Sequence, residues 1–169
     1  METNTWRICF LMKEKIIELS VAGLQKHGLR FSIDEIARAL RISKKTIYKY
    51  FPCKEDLADA VYEKFYADAN RLLDSLLSPG AEAQFTELLD IYYRSHCMTK
   101  KEIFNKYALN DAIRKVAAFE HERVWRRIQA KLPENEREII KIIIDGAFDK
   151  SDEKQASVDK TLKILERLI

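Results

Sequence analysis

The sequence predicts an all-α protein, and three observations carry that reading. Only four Gly and three Pro interrupt 169 residues. Hydrophobic residues make up 47% and charged residues 34%, a balance that excludes both a disordered chain and a membrane-embedded one. Apolar residues recur at helical rather than alternating spacing. The length suffices for one or two small cores. The expected architecture is an N-terminal three-helix head joined through a long helix to a helical-bundle body.

Residues 1–11 are weakly determined, and "ICFLM" within them is too short for the core of a signal peptide. The first strong helix runs from about Met12 to His27, where Gly28 stops it. The second opens at "FSIDEIARAL". Ser32 is a good N-cap, Glu35 completes a capping box, and Phe31 and Ile36 stand at the spacing of a hydrophobic staple. Ile33, Ile36, Ala37 and Leu40 mark its buried face. The third opens at Ser43, with Ile42 and Ile47 repeating the staple. Pro52 disfavours helical geometry at Phe51 and limits this helix to about two turns. Two short helices across a tight turn make a helix-turn-helix.

A long helix follows, "KEDLADAVYEKFYADANRLLDSLL", with Leu57, Val61, Phe65, Leu72 and Leu76 on its inner face. At a rise of about 1.5 Å per residue it reaches about 35 Å before "SPG" ends it. Further helices are expected from about Glu82 to Cys97, from a Thr99/Glu102 capping box to about Leu109, and from about Asp111 to Lys131. Two more lie in "ENEREIIKIIIDGAFDK" and "EKQASVDKTLKILERLI". The domains are expected at 1–54 and 55–169.

Charge is unevenly placed. Residues 26–54 hold eight basic residues against Asp34 and Glu35, a net +6, although the whole chain carries only +3. A basic segment on a mildly acidic remainder suits a polyanionic partner for the head alone. Wound at helical period, the third helix puts Ile47 and Phe51 on one side and Lys45, Thr46 and Lys49 on the other. Lys44 and Tyr48 flank one edge and Tyr50 the other. In a DNA major groove, Lys donates to guanine acceptors and Thr meets a base edge or a thymine methyl. The flanking Tyr and Lys groups suit phosphate oxygens, and Ser32 offers a phosphate the start of a helix.

The segments "IIELSVAGLQKHG", "FSIDEIARALRISKKTIYKYF" and "PCKEDLADAVYEKF", from about Glu14 to Phe65, resemble the DNA-binding head of the TetR family of transcriptional regulators. The specific part is Ser-Lys-x-Thr-hydrophobic-Tyr-x-Tyr-Phe followed by Lys-Glu-x-Leu. The resemblance covers about a third of the chain. It implies a homodimer, commonly a repressor, on a palindromic double-stranded DNA operator, released or modulated by an effector in the C-terminal body. It carries Ser32, Lys44, Thr46, Tyr48, Lys49, Tyr50 and Lys54 over as DNA contacts. Three residues depart from the family pattern. Lys45 stands where glycine is common and gains a cation able to reach a base or a phosphate. Arg41 stands where the turn usually has glycine; a left-handed backbone there would cost roughly 1 kcal/mol, offset by a phosphate contact. Cys53 replaces a better N-cap, Ser, and is read as a weak cap rather than a redox switch.

The body is less legible. Its penultimate helix is apolar around much of its circumference and needs cover on more than one side. Ile139, Ile142, Ile143, Gly146 and Phe148, with Val158, Leu162 and Leu165 of the last helix, are therefore the dimer candidates, in an isologous two-fold pair. The Asp-Gly pair at 145–146 also resembles a feature of the family's dimerisation helix. Tyr92, Tyr93, His96, Phe104, Tyr107, Phe119 and Trp125 are candidates to line a pocket for a small hydrophobic or aromatic effector.

No enzyme is expected: the sequence has no Gly-rich phosphate loop, HExxH or nucleophile-elbow motif. No cofactor or metal is expected either, because His27, His96 and His121 are scattered along the chain. Cys9, Cys53 and Cys97, odd in number and far apart, suit a reduced, cytoplasmic chain, and no run could span a bilayer. The competing reading is a helical protein-interaction module that keeps the head scaffold without recognising an operator.

Overall fold

Caps and breakers divide the chain into successive helices. In the computed structural model these are α1 (Glu2–His27), α2 (Ile33–Leu40), α3 (Lys44–Tyr50), α4 (Lys54–Leu76), α5 (Phe85–Met98), α6 (Lys101–Tyr107), α7 (Asp111–Ile128), α8 (Arg137–Lys150) and α9 (Gln155–Leu168). Two 3-10 turns, Gln129–Lys131 and Glu134–Glu136, lie between α7 and α8. The structure describes all residues except 1, 28–31, 83, 108, 110, 151–154 and 169, and the backbone alone at 2–9, 24–27, 106–107, 155–158 and 168. Among the described residues there is no strand. None of the described helices is long and apolar enough to cross a membrane.

Several boundaries follow from visible hydrogen bonds. The Glu35 carboxylate accepts from the Ser32 amide at 2.7 Å and from its hydroxyl at 3.3 Å, so the acidic half of the α2 box is formed. Phe31, the outer half of the staple, lies outside the described residues. Ser43 Oγ accepts from the Thr46 amide at 3.1 Å and starts α3. Phe51 turns extended, at φ −131° and ψ 90°, ahead of Pro52. At the end of α4, Gly80 takes a positive φ of 83°, a conformation that favours glycine.

Thr99 departs from the capping expectation. Its hydroxyl donates back to the His96 carbonyl at 2.8 Å and closes α5. Unpaired carbonyls in a last helical turn compete for nearby hydroxyls, so α6 begins at Lys101 without a threonine cap. The first helix also begins earlier than expected, at Glu2.

The chain forms two compact units, residues 1–67 with 101–115, and residues 68–100 with 116–169. In the first, Ile16, Ile36, Ile47, Phe51, Leu57, Val61 and Phe65 are buried together with Phe104. Burial of Ile47 and Phe51 contributes about 1.5–3 kcal/mol each. Ser20, also buried, donates its hydroxyl to the Ile16 carbonyl at 2.7 Å. Phe104 stands 6.0 Å from the Tyr62 ring, centroid to centroid.

In the second unit α9 packs against both α5 and α8. Leu73, Leu89, Tyr92, Val124, Trp125, Ile128, Ile144 and Phe148 are buried there. Arg127 reaches from α7 to the last turns of α4, donating to Asn70 O and Oδ1 at 3.2 Å and to Asp74 at 2.6 Å.

Candidate nucleic-acid interface and the body cluster

Ile47 is fully buried, and it anchors the inner face of α3. The seven-residue helix therefore turns Lys45, Tyr48 and Lys49 outward as exposed side chains. Thr46 is half-buried, and its hydroxyl sits 3.0 Å from Ser43 Oγ, so cap and outward face share one contact. Tyr50 is half-buried, as is Ser32, while Arg41, Lys44 and Lys54 are exposed. Lys44 is engaged across the turn with Asp34 at 2.7 Å. A pair this exposed contributes about 0–1 kcal/mol, so a phosphate can displace the aspartate.

The turn before α3 is left-handed at Arg41, with φ 54° and ψ 41°. The Ile42 amide donates to the Ala37 carbonyl at 2.9 Å and the Arg41 amide to the Arg38 carbonyl at 3.1 Å. This is the paired closure of a Schellman motif, in which the left-handed residue is ordinarily glycine. Arg41→Gly is expected to stabilise the chain by roughly 1 kcal/mol, read as a higher denaturant midpoint. The same variant is expected to bind DNA less tightly, with a salt slope shallower by about one.

Cys53 caps α4. Its thiol accepts from the Asp56 amide at 3.4 Å, and the Asp56 carboxylate accepts from the Cys53 amide at 3.2 Å. The Asp56 amide lowers the thiol pKa, but the Asp56 carboxylate, desolvation and Glu55 leave it raised overall. A thiol held in its protonated form is a poor redox sensor. Cys53→Ser substitutes a stronger acceptor at the same cap, and a stability gain of about 0.5–1 kcal/mol is expected in thermal unfolding.

The aromatic candidates of the body divide. Tyr92, Tyr93 and His96 stand around Phe148, the Tyr93 ring at 4.9 Å, and Trp125 joins them through Tyr92, 5.2 Å away. Phe104 belongs to the other compact unit. Phe119 is 58% exposed. The Tyr107 side chain lies outside the described residues.

The cluster also contains residues that sequence reasoning passed over. His121 stacks on Tyr92 with centroids 4.6 Å apart, and the ring of His96 stands 5.8 Å from it. Burial first, and then neighbouring His96, push the His121 pKa down to about 4. Ser95, buried, places Oγ 2.9 Å from His121 Nδ1. Tyr92 donates to Asp145 at 2.8 Å, and Lys141 holds the other Asp145 oxygen at 2.9 Å. Burial, then that hydrogen bond, raise the Tyr92 pKa. Histidines that are scattered in sequence are thus neighbours in space. No local spacing could have signalled this, because they sit on different helices.

The dimer candidates also separate. Phe148, Leu162 and Leu165 are buried within their own unit, and the Val158 side chain is outside the described residues. Ile139, Ile142 and Ile143 are 64%, 65% and 48% exposed, and with Gly146 they repeat at i, i+3, i+4, i+7 along one side of α8. Nothing lies within 4 Å of a side chain built at Gly146. Ile164 of α9, which the sequence reading did not single out, is also exposed.

A helix-turn-helix head with an outward cationic face, carried on a helical body, defines the class. The family model for bacterial regulatory proteins of the tetR family matches residues 16–61. Over 61 residues the chain is 31% identical to the uncharacterized HTH-type transcriptional regulator YvaF of Bacillus subtilis (strain 168), covering 36% of this chain and 32% of that protein. Over 53 residues it is 34% identical to the uncharacterized HTH-type transcriptional regulator Rv0472c of Mycobacterium tuberculosis (strain ATCC 25618 / H37Rv), covering 31% of this chain and 23% of the relative. The chain thus spans less than a third of the length of each of these relatives, and the likeness is confined to the head. No solved structure matches it at comparable significance. The similarity to the tetR family is thus carried by residues 16–61 of the head.

Proposed function

We propose that the chain is a DNA-binding transcriptional regulator of the repressor kind. In this reading residues 1–54 bind a palindromic operator, and residues 55–169 form the dimer and take up a small hydrophobic or aromatic effector. The observation that carries the reading is the outward face of α3. Lys45, Tyr48 and Lys49 are exposed there, while Ile47 is buried behind them.

Each proposed contact has a physical role. Lys45 and Lys49 reach base edges or phosphates, and Thr46 adds a hydroxyl and a methyl group. Tyr48, Tyr50, Lys44, Lys54, Arg41 and Ser32 hold the backbone on either side. A two-fold dimer presents two such helices to half-sites about one DNA turn, 34 Å, apart. The exposed stripe on α8 is the surface through which the two copies meet.

Selection of bound sequences from a random DNA pool tests this directly. Enrichment of a two-fold symmetric motif is the expected result. Failure to enrich any sequence overturns it in favour of a helical protein-interaction module on the same scaffold. That alternative draws on one observation: Lys44 and Thr46 are already engaged within the head.

A further inference from the structure

The body cluster contains more than a hydrophobic or aromatic ligand needs. We propose that His96, His121 and Asp145 form a binding site for a divalent first-row transition-metal ion. One nitrogen of each histidine and one oxygen of Asp145 all lie within 4.8 Å of one another. A tetrahedral ion with bonds of about 2.0–2.1 Å sets its ligand atoms about 3.3 Å apart. Closure by roughly an ångström and a half, within reach of side-chain rotation, completes three sides of such a site.

The donor set selects the class of ion. Two imidazoles and one carboxylate suit zinc, iron, cobalt or nickel, whereas magnesium and calcium are bound through oxygens. The surrounding shell is of the kind that supports metal ligands. Ser95 Oγ, 2.9 Å from His121 Nδ1, can accept a hydrogen bond from Nδ1–H and leave Nε2 to ligate. The Tyr92 ring stacks flat on His121 while its hydroxyl orients Asp145.

Lys141 stands against the site as a cation, 2.9 Å from Asp145. Asp149 offsets it, with Oδ1 3.0 Å from His96 Nε2. The three ligands come from α5, α7 and α8, so an ion ties together helices of a single compact unit. That such an ion serves as the effector rests on the regulator reading above; the site itself does not.

The test uses the full chain, stripped with a chelator and titrated with Zn2+ and Co2+ in the absence of DNA. One ion per chain is expected, and Co2+ should give visible bands without a thiolate charge-transfer band. His96→Gln and Asp145→Asn are each expected to weaken binding at least about 10-fold, with Cys97→Ser unchanged. Imidazole 15N shifts of the unsubstituted chain should move on Zn2+ addition at His96 and His121 and not at His27, a readout that needs no variant to fold. Absence of a bound ion, a thiolate band, unmoved His96 and His121 shifts, or undiminished binding in the His96→Gln/Asp145→Asn double variant overturns the proposal. None of these outcomes touches operator selection, so the two readings fail separately.

Discussion

A variant carrying Lys45→Ala, Tyr48→Ala and Lys49→Ala is expected to lose operator affinity by more than about 100-fold, about 3 kcal/mol or more. The three side chains are exposed on one side of α3, so their removal leaves the buried Ile47 anchor intact. Exposed substitutions away from caps change stability by about 0.5 kcal/mol or less, and the helical signal and melting temperature should stay near those of the parent. The slope of log affinity against log salt should become shallower by about two, one unit for each lost lysine that met a phosphate. Single variants then separate the roles. If Lys45 reads a base, Lys45→Ala relaxes specificity at one position of the half-site. If it only grips the backbone, affinity drops evenly across sequences. Parental affinity in the triple variant would remove α3 from the interface.

The second large effect is expected at α8. Ile139→Glu with Ile142→Glu should convert the chain from dimer to monomer in sedimentation velocity at micromolar concentration. In an isologous pair each substitution enters the interface twice, and burying unpaired carboxylates costs several kcal/mol. The body should still fold, because both positions are exposed in the single chain. Ile144→Glu provides the contrast: that side chain is fully buried on the opposite side of the same helix, and the expected outcome is unfolding of the second unit. A monomeric parent, or a dimer indifferent to the double variant, would refute the assignment of this stripe. Operator binding should weaken along with dimerisation, since each half-site would then be bound alone.

The head was legible because its determinants are local. Ser32 with Glu35, and Ser43 with the Thr46 amide, act within three residues. Ile47 and Phe51 declare an inner side by helical period alone, whereas Arg41 was marked only through the family resemblance, as a position usually held by glycine. The body was legible only as a set of helices. A period shows that α8 is apolar on several sides, but not which side its own unit covers. Phe148 therefore counted as interface until packing buried it, and Ile164 passed unremarked. The His96–His121–Asp145 cluster was hidden for a stronger reason. Its members lie on α5, α7 and α8, and their meeting depends on which helices pack together, which no short window of sequence records.

The left-handed turn at Arg41 also has a genetic consequence. Every arginine codon is a single base change from a glycine codon, so the more relaxed turn is always one mutational step away. Laboratory evolution under heat alone should take that step early. Evolution under demand for DNA binding should keep the arginine, and the choice made at this one codon separates the two pressures.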